Sequence, residues 1–162
     1  MPIVIRPVEE HDIHVMAAIR ARVWQTQEFW TARIGAYLSG EHSPQQALAD
    51  RAAFVAIDNG TLVGFVAGHR TRRHGCDGEL QWIDVMQENR GRGIAGGLLD
   101  RMSAWFVELG ALRVCVNVDP GNAIARRFYA RHGANPLNEH WMVWEDMSRQ
   151  GLNSINTAPH SS

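Results

Sequence analysis

The chain has 162 residues and 45% apolar content, so it is long enough to bury one core and too short for two ordinary domains. A formal net charge of -1 and a pI near 6.7 give no strong electrostatic field, which disfavours nucleic acid and anionic membranes as partners. No signal peptide is recognisable, nor an apolar span of the ~18 residues that a membrane helix needs. The two cysteines and eight histidines lack metal-ligand spacing. We therefore expect a soluble cytoplasmic protein without a metal.

The N-terminal third predicts one strand followed by helices. The alternating stretch IVIRPV predicts an edge strand that ends at Pro7, where the missing N–H discourages central pairing. Apolar residues recur at helical spacing in HDIHVMAAIRARVW, with Asp12 as the expected N-cap. Residues 25–49 predict one or two short helices, with a helix start at Ser43-Pro44.

The rest of the chain predicts a hairpin followed by alternating strands and helices. Asn59-Gly60 separates two β-branched runs and supplies the positive φ angles of a tight hairpin turn. The later predicted elements are a strand over ELQWIDVM, a helix over residues 91–110 ended by Gly110, a buried strand over LRVCVNV, a helix from Asn122 to His132 and a strand over HWMVWEDM. Residues 1–147 therefore predict a single domain, and the polar residues 148–162 predict a flexible tail.

The stretch ENRGRGIAGGLLD contains two phosphate-binding patterns at once. Gly91, Gly93 and Gly96 spell the dinucleotide fingerprint G-x-G-x-x-G, and Asp119 would be its ribose-binding acid. However, residues 87–90 separate the strand from the first glycine, and the antiparallel hairpin before the loop does not fit a doubly wound parallel sheet. The second pattern, R-x-x-G-x-A, starts one residue earlier at Arg90 and fits its surroundings better.

Two motifs in order resemble the GNAT superfamily of acyl-coenzyme A-dependent N-acetyltransferases. They are LQWIDVMQENRGRGIAGGLLDRM, similar to the family's strand, R/Q-x-x-G-x-G/A loop and helix, and NVDPGNAIARRFYARHGA, similar to its N-x-x-A-x-x-x-Y-x-x-x-G pattern. With the hairpin they cover about residues 53–146. The resemblance implies an α/β (α+β) fold: a mixed, mostly antiparallel sheet of six to seven strands, with helices on both faces and a splay between the two central parallel strands.

The glycine loop also suits a diphosphate on physical grounds. A glycine-rich turn that leads into a helix aligns backbone N–H groups, with the positive end of the helix dipole behind them. Gly96 and Gly97 each forgo about 1 kcal/mol of helix propensity, which implies that something approaches the backbone closely. The predicted acetyl-coenzyme A-binding residues are Val85, Met86, Arg90, Gly91, Arg92, Gly93, Ile94, Ala95, Gly96, Asn122, Ala125 and Tyr129.

Acetyl transfer to an amine needs a base, an oxyanion donor and an acid. Glu79, eleven residues before Arg90 where many family members carry a glutamate, is the predicted base unless it is only a polar strand end. Asp84 is the second choice for the base; it lies on the same strand, but simple alternation would place it on the opposite face from Glu79. The resemblance implies the backbone N–H of Val85, at a bulge, as the oxyanion donor. Tyr129 is the predicted acid for the leaving thiolate, or else an aromatic core residue; it lies seven residues after Asn122, hence on one helix face.

The acceptor is less well defined by the sequence. His132 stands where the family often has an apolar residue, and we expect a helix-end cation there rather than a base. Acidic and basic residues are mixed in the N-terminal helices, so a small amine, an amino acid or a protein N-terminus is favoured over a polycation. The leading hypothesis is direct attack of the amine on acetyl-coenzyme A; the alternative is a non-catalytic acyl-coenzyme A sensor. A homodimer is left open.

Overall fold

A single seven-stranded sheet organises the chain. The computed structural model describes residues 2–150. The strands are β1 (Ile3–Pro7), β2 (Ala47–Asp58), β3 (Thr61–Thr71), β4 (Gly78–Val85), β5 (Val114–Asn117), β6 (Asn135–Pro136) and β7 (Trp141–Trp144). The helices are α1 (Ile13–Ala21), α2 (Gln27–Ser39), α3 (Ile94–Glu108) and α4 (Ala123–Arg131). The strand order is β1-β2-β3-β4-β5-β7-β6, and β4 and β5 form a parallel pair in an otherwise antiparallel sheet.

Two hydrophobic clusters cover the two faces of the sheet. On one face, α1 and α2 pack Met16 and Ile34 against Phe65 of β3. On the other face, α3 packs Leu98 against Val66, the next residue of the same strand. Successive strand residues point to opposite faces, so the apolar run of β3 supplies both cores. The predicted GNAT-like fold class is confirmed.

Several local predictions are confirmed by the backbone. Asn59 and Gly60 have φ angles of 51 and 80, which closes the β2–β3 hairpin. Strand β1 lies at the sheet edge and ends at Pro7. Gly110, which follows the C-cap Leu109 of α3, has a φ of 74. The two-residue strand β6 was not predicted, because it is too short for an alternating pattern.

Of two local predictions near the N-terminus, one is confirmed in part and the other is wrong. Asp12 occupies the N-cap position of α1, as predicted, but its carboxylate does not cap the helix; it accepts hydrogen bonds from Arg6 at 2.8 and 3.0 Å and from the Glu9 N–H at 2.7 Å. No helix starts at Ser43-Pro44, since α2 ends at Ser39, Gly40 follows it in the left-handed conformation, and the chain enters β2 at Ala47. Long-range pairing with β3 therefore overrides the local helix signal.

The end of the described chain packs against the domain. Residues Met147–Arg149 form a 3-10 turn, and the side chain of Gln150 is buried. Residues 148–150 are the first residues of the predicted tail, and residues 151–162 lie outside the described part. Within residues 2–150, no helix combines the length and apolarity needed to span a membrane.

Candidate active site

The central parallel strands separate to form a cleft. Strands β4 and β5 are paired only from Gly78 to Leu80, although β4 continues to Val85. Beyond Leu80 the gap opens into a cleft of about 1560 Å³ that reaches from the glycine loop to the face covered by α1. We name the two halves of the cleft after the ligands that the sequence led us to expect. The cofactor half is bounded by residues 89–97 and α4, and the acceptor half is bounded by α1, the 72–77 loop and the α1-facing side of β4.

Backbone donors dominate the cofactor half. Gly91 and Gly93 adopt positive φ angles of 84 and 78, which L-residues rarely accept. The first hydrogen bond of α3 runs from the Gly97 N–H to the Gly93 carbonyl at 3.1 Å, and no side chain caps the helix. The N–H groups of residues 94–96 therefore have no acceptor within the helix and are oriented for an anion. This arrangement fits the diphosphate of coenzyme A.

Neighbouring side chains explain the two glycines inside α3. A Cβ on Gly96 would lie 3.3 Å from Cε1 of His132, and a Cβ on Gly97 would lie 3.2 Å from Cδ1 of Ile5. The close approach expected from the sequence is therefore made, at both positions, by the protein's own side chains. At Gly96 it brings the His132 ring against the first turn of α3.

Two of the predicted cofactor residues lie elsewhere. The Arg92 guanidinium pairs with Asp58 at 2.7 Å, and its side chain does not line the cleft, whereas Arg90 does. Met86 donates its N–H to Val63 at 2.8 Å and packs between the two hydrophobic cores. The remaining predicted residues, Glu79, Val85, Arg90, Gly91, Gly93, Ile94, Ala95, Gly96, Asn122, Ala125 and Tyr129, all line the cleft.

Helix α4 presents one face to the cleft. Asn122 caps the helix by accepting the Ala125 N–H at 3.1 Å, and Ala125 leaves space between Asn122 and Tyr129. Tyr129 is buried, with its ring edge-on to Trp144 at 5.7 Å between centroids. Burial raises the pKa of Tyr129, and the charge of Asp84 raises it further. The hydroxyl therefore keeps its proton well into the alkaline range.

A bulge in β4 changes which residues share a face. Ala67 of β3 is opposite Trp82, whereas the next residue, Gly68, is opposite Leu80. Gln81 is thus the extra residue of a β-bulge. The bulge predicted at Val85 lies at Gln81 instead, because the strand departs from regular pairing where it separates from β5.

The bulge brings both candidate bases to the acceptor half. Glu79 is opposite His69 and Asp84 is opposite Phe65, two β3 residues that point to the same face. The sequence predicted opposite faces of the strand for Glu79 and Asp84, and this prediction is therefore wrong. A one-residue insertion reverses the alternation, so Glu79 and Asp84 share a face.

Glu79 belongs to a buried polar network. Its Oε1 atom accepts from Arg73 Nε at 3.1 Å and from the Thr71 hydroxyl at 3.5 Å, and lies 3.5 Å from His69 Nε2. The other ring nitrogen of His69 is 2.8 Å from the Tyr37 hydroxyl. All three of these contacts are made to Oε1, and Glu79 also lines the cleft.

Asp84 forms a second ion pair nearer to Tyr129. Arg20 Nη1 donates to Asp84 Oδ2 at 2.7 Å, and its guanidinium lies over Trp30, 4.4 Å from the ring centroid. The charges of Asp84 and Arg20 shift the pKa of Tyr129 in opposite directions, upward and downward respectively. This pair is therefore electrostatically coupled to the predicted acid.

The backbone N–H of Val85 points toward the opened gap. Met86 donates to Val63 of β3, and in an antiparallel ladder the N–H groups of successive residues point to opposite edges. Val85 therefore directs its N–H away from β3, to the side where β5 has separated. This direction is the one that an oxyanion donor requires.

The acceptor half contains two arginines that the sequence did not single out, Arg20 and Arg73. Arg20, Arg73 and Trp141 line it, and the Arg73 guanidinium lies 4.8 Å from the Trp141 ring centroid. The one usable signal was the helical spacing of Arg20 with Met16, which places it on the packed face of α1. Nothing local marks Arg73 or Trp141 as partners, because their meeting depends on the sheet order.

His132 differs from its expected charge state. Its ring lies at the end of α4, where a cation is favoured by the helix dipole, but burial lowers the pKa of His132. The imidazole is therefore neutral near pH 7, contrary to the cation predicted from the sequence.

Comparisons with known proteins bear on the family and the fold of this chain. The family described as Acetyltransferase (GNAT) family matches residues 15–134. Uncharacterized N-acetyltransferases of Mycobacterium bovis and Mycobacterium tuberculosis are 34% identical over 83 residues, 51% of this chain and 52% of theirs. The chain thus spans about half the length of the curated relatives it matches.

Solved structures share the fold at low sequence identity. The PaiA N-acetyltransferase of Thermoplasma acidophilum, in complex with coenzyme A, has a TM-score of 0.66 at 17% identity, over 88% of this chain and 98% of that one. Apo FdhC, a nucleotide-linked sugar GNAT, has a TM-score of 0.71 at 17% identity, over 96% and 93%. Because the family match covers more than half of the sequence, the chain belongs to the GNAT family of acetyltransferases.

Proposed function

We propose that the protein transfers an acetyl group from acetyl-coenzyme A to a primary amine by direct attack within a ternary complex. The observation that carries the proposal is the shared cleft: a row of helix N-terminal N–H groups, a protonated buried Tyr129 and two carboxylates all border one opening between β4 and β5. Donor and acceptor can therefore meet without a covalent enzyme intermediate.

Each proton and electron pair has a proposed route. Glu79 takes the proton of the ammonium, directly or through water, so that the amine lone pair can attack the acetyl carbonyl carbon. The Val85 N–H donates to the carbonyl oxygen as it gains negative charge. As the carbon–sulfur bond breaks, its electron pair stays on the sulfur, which takes the proton of Tyr129. The extra proton on the attacking nitrogen then passes through water to the Tyr129 oxygen, and Glu79 releases its proton to solvent. Asp84 remains the second choice for the base.

The charge balance of the acceptor half supports an acceptor that is not a polycation. Each carboxylate there is matched by an arginine, Glu79 by Arg73 and Asp84 by Arg20. This balance does not favour a polycation, so we propose a small amine, an amino acid or a protein N-terminus as the acceptor. Trp82 and Trp141 would form apolar walls beside it.

An acceptor screen with a coenzyme A thiol readout tests the proposal. We expect thiol release above background hydrolysis with at least one amine class, and an increase in melting temperature with coenzyme A but not with NAD. Binding of coenzyme A without thiol release for any amine would instead indicate an acyl-coenzyme A sensor. Protection by NAD alone would overturn the coenzyme A assignment.

A further inference from the structure

His132 lies at the boundary between α4 and the anion-binding turn of α3. Its ring edge faces Gly96, with Cε1 3.3 Å and Nε2 3.7 Å from the position of a Cβ on that glycine. Both residues line the cofactor half of the cleft. The N–H of Gly96 is one of the helix donors without an intrahelical acceptor. The imidazole is therefore adjacent to the place where an anion would be held.

The hydrogen bonds of His132 determine which nitrogen carries the proton. Its Nδ1 atom is 3.2 Å from Nε2 of Gln150, and the same amide nitrogen is 3.2 Å from Oδ1 of Asp100. An amide nitrogen can only donate, so Nδ1 must accept and the ring proton must be on Nε2. Reversing the amide would set its oxygen against the Asp100 carboxylate, which is unfavourable.

The ring is also held in place. The His132 carbonyl accepts from Trp144 Nε1 at 3.0 Å, and the ring packs on Phe128 with centroids 4.6 Å apart. Gln150, which orients Nδ1, is 1% exposed. Because burial lowers the pKa of His132, the neutral form with a fixed Nε2–H predominates near pH 7. The direction of a single donor is thus set before any ligand binds.

We propose that His132 is a cofactor-binding residue, whose Nε2–H donates to the diphosphate of acyl-coenzyme A at the start of α3, with Gln150 as its positioning residue. The proposal rests on the cofactor half of the proposed function and is independent of acetyl transfer. Hydrogen bonds to a charged group are stronger than neutral ones, so one added donor has a measurable effect. It would supplement the backbone donors of residues 94–96.

Calorimetric titration of coenzyme A into the full-length protein tests this role. We expect His132→Leu to weaken binding roughly tenfold or more, since it removes a hydrogen bond to a charged group. His132→Gln, which keeps a donor of similar reach, should retain affinity within about threefold of wild type. Equal affinity of the wild type and His132→Leu would overturn the inference, and so would equal losses in the two variants.

A measurement on the unaltered protein covers the case in which the variants do not fold. Nitrogen NMR of the imidazole should show the Nε2-protonated tautomer without ligand and a downfield shift of the Nε2 proton when coenzyme A is added. The Nδ1-protonated tautomer, or an unchanged signal at saturating coenzyme A, would contradict the proposal. Absence of any coenzyme A binding to the wild type would instead reject the proposed function itself.

Discussion

The two halves of the cleft are formed by different chemical groups. The cofactor half uses backbone N–H groups from one short turn and one face of α4, whereas the acceptor half uses side chains from helix α1, strand β4 and the 72–77 loop. Backbone donors tolerate side-chain changes but need particular φ angles. Side-chain ion pairs tolerate backbone variation but fail when one partner is removed. We therefore expect substitutions in the two halves to have different kinetic effects.

The largest expected effect is at Tyr129, which lies between the halves. Tyr129→Phe should lower kcat by roughly 10²- to 10⁴-fold, the range of general acid catalysis, and leave the Kd of coenzyme A nearly unchanged. Because burial raises the pKa of Tyr129, the wild-type hydroxyl stays protonated. At any pH below about 10, therefore, loss of this proton should not lower kcat. Steady-state kinetics and titration calorimetry check both points. A comparable loss of coenzyme A affinity would contradict the acid role.

The next effect distinguishes the two carboxylates of the acceptor half. Glu79→Gln should lower kcat by about 10²-fold at pH 7, and the rate should recover as rising pH supplies free amine. Asp84→Asn should have a smaller effect, about tenfold or less, because loss of the nearby negative charge lowers the pKa of Tyr129 while burial still keeps its hydroxyl protonated near pH 7. Both variants should bind coenzyme A normally. The reverse order of kcat values would assign the base to Asp84.

A backbone change in the cofactor half should act on folding and affinity. Gly93→Ala places a side chain at a φ of 78, which costs about 1–2 kcal/mol and disturbs the N–H groups that follow. A lower melting temperature and weaker coenzyme A binding are expected. Gly35 in α2 is the matched control, because its φ is negative and a Cβ there meets nothing within 4 Å. Gly35→Ala should stabilise the fold by about 0.5–1 kcal/mol.

The smallest effect compares the two arginines of the glycine loop. Arg90→Ala should weaken coenzyme A binding by about three- to fivefold, since its exposed side chain borders the cofactor half. Arg92→Ala should leave the Kd unchanged, because its guanidinium is paired with Asp58 outside the cleft. Titration of both variants under the same salt conditions makes the comparison. A larger loss for Arg92 would mean that this ion pair opens when the ligand binds.

The predictability of the site follows the same division. The glycine loop and the Asn122-to-Tyr129 face were recoverable from sequence, since each depends on spacing within a few turns of chain. The shared face of Glu79 and Asp84 was not, because the bulge at Gln81 arises from strand pairing and leaves no mark in the alternation. Arg20 and Arg73 were missed for a related reason: their partners come from other elements.

The fold as a whole was more predictable than the acceptor half. The hairpin at Asn59-Gly60 and the buried run of β5 carry strong local signals, and the two ordered motifs then indicate the sheet that joins them. The helix predicted at Ser43-Pro44 failed where a strand partner supplied more favourable pairing. Local propensity therefore sufficed wherever it agreed with the sheet.

The early end of pairing between β4 and β5 also bears on how the protein unfolds. Only three residue pairs join β1–β4 to β5–β7 within the sheet. A ligand bound in the gap between β4 and β5 would contact both portions of the sheet where strand-to-strand hydrogen bonds are absent. Part of its binding free energy would therefore oppose separation of the two portions. Resistance to heat and to proteolysis should then rise and fall with the surrounding concentration of acyl-coenzyme A, which would couple the lifetime of the protein to the supply of this proposed ligand.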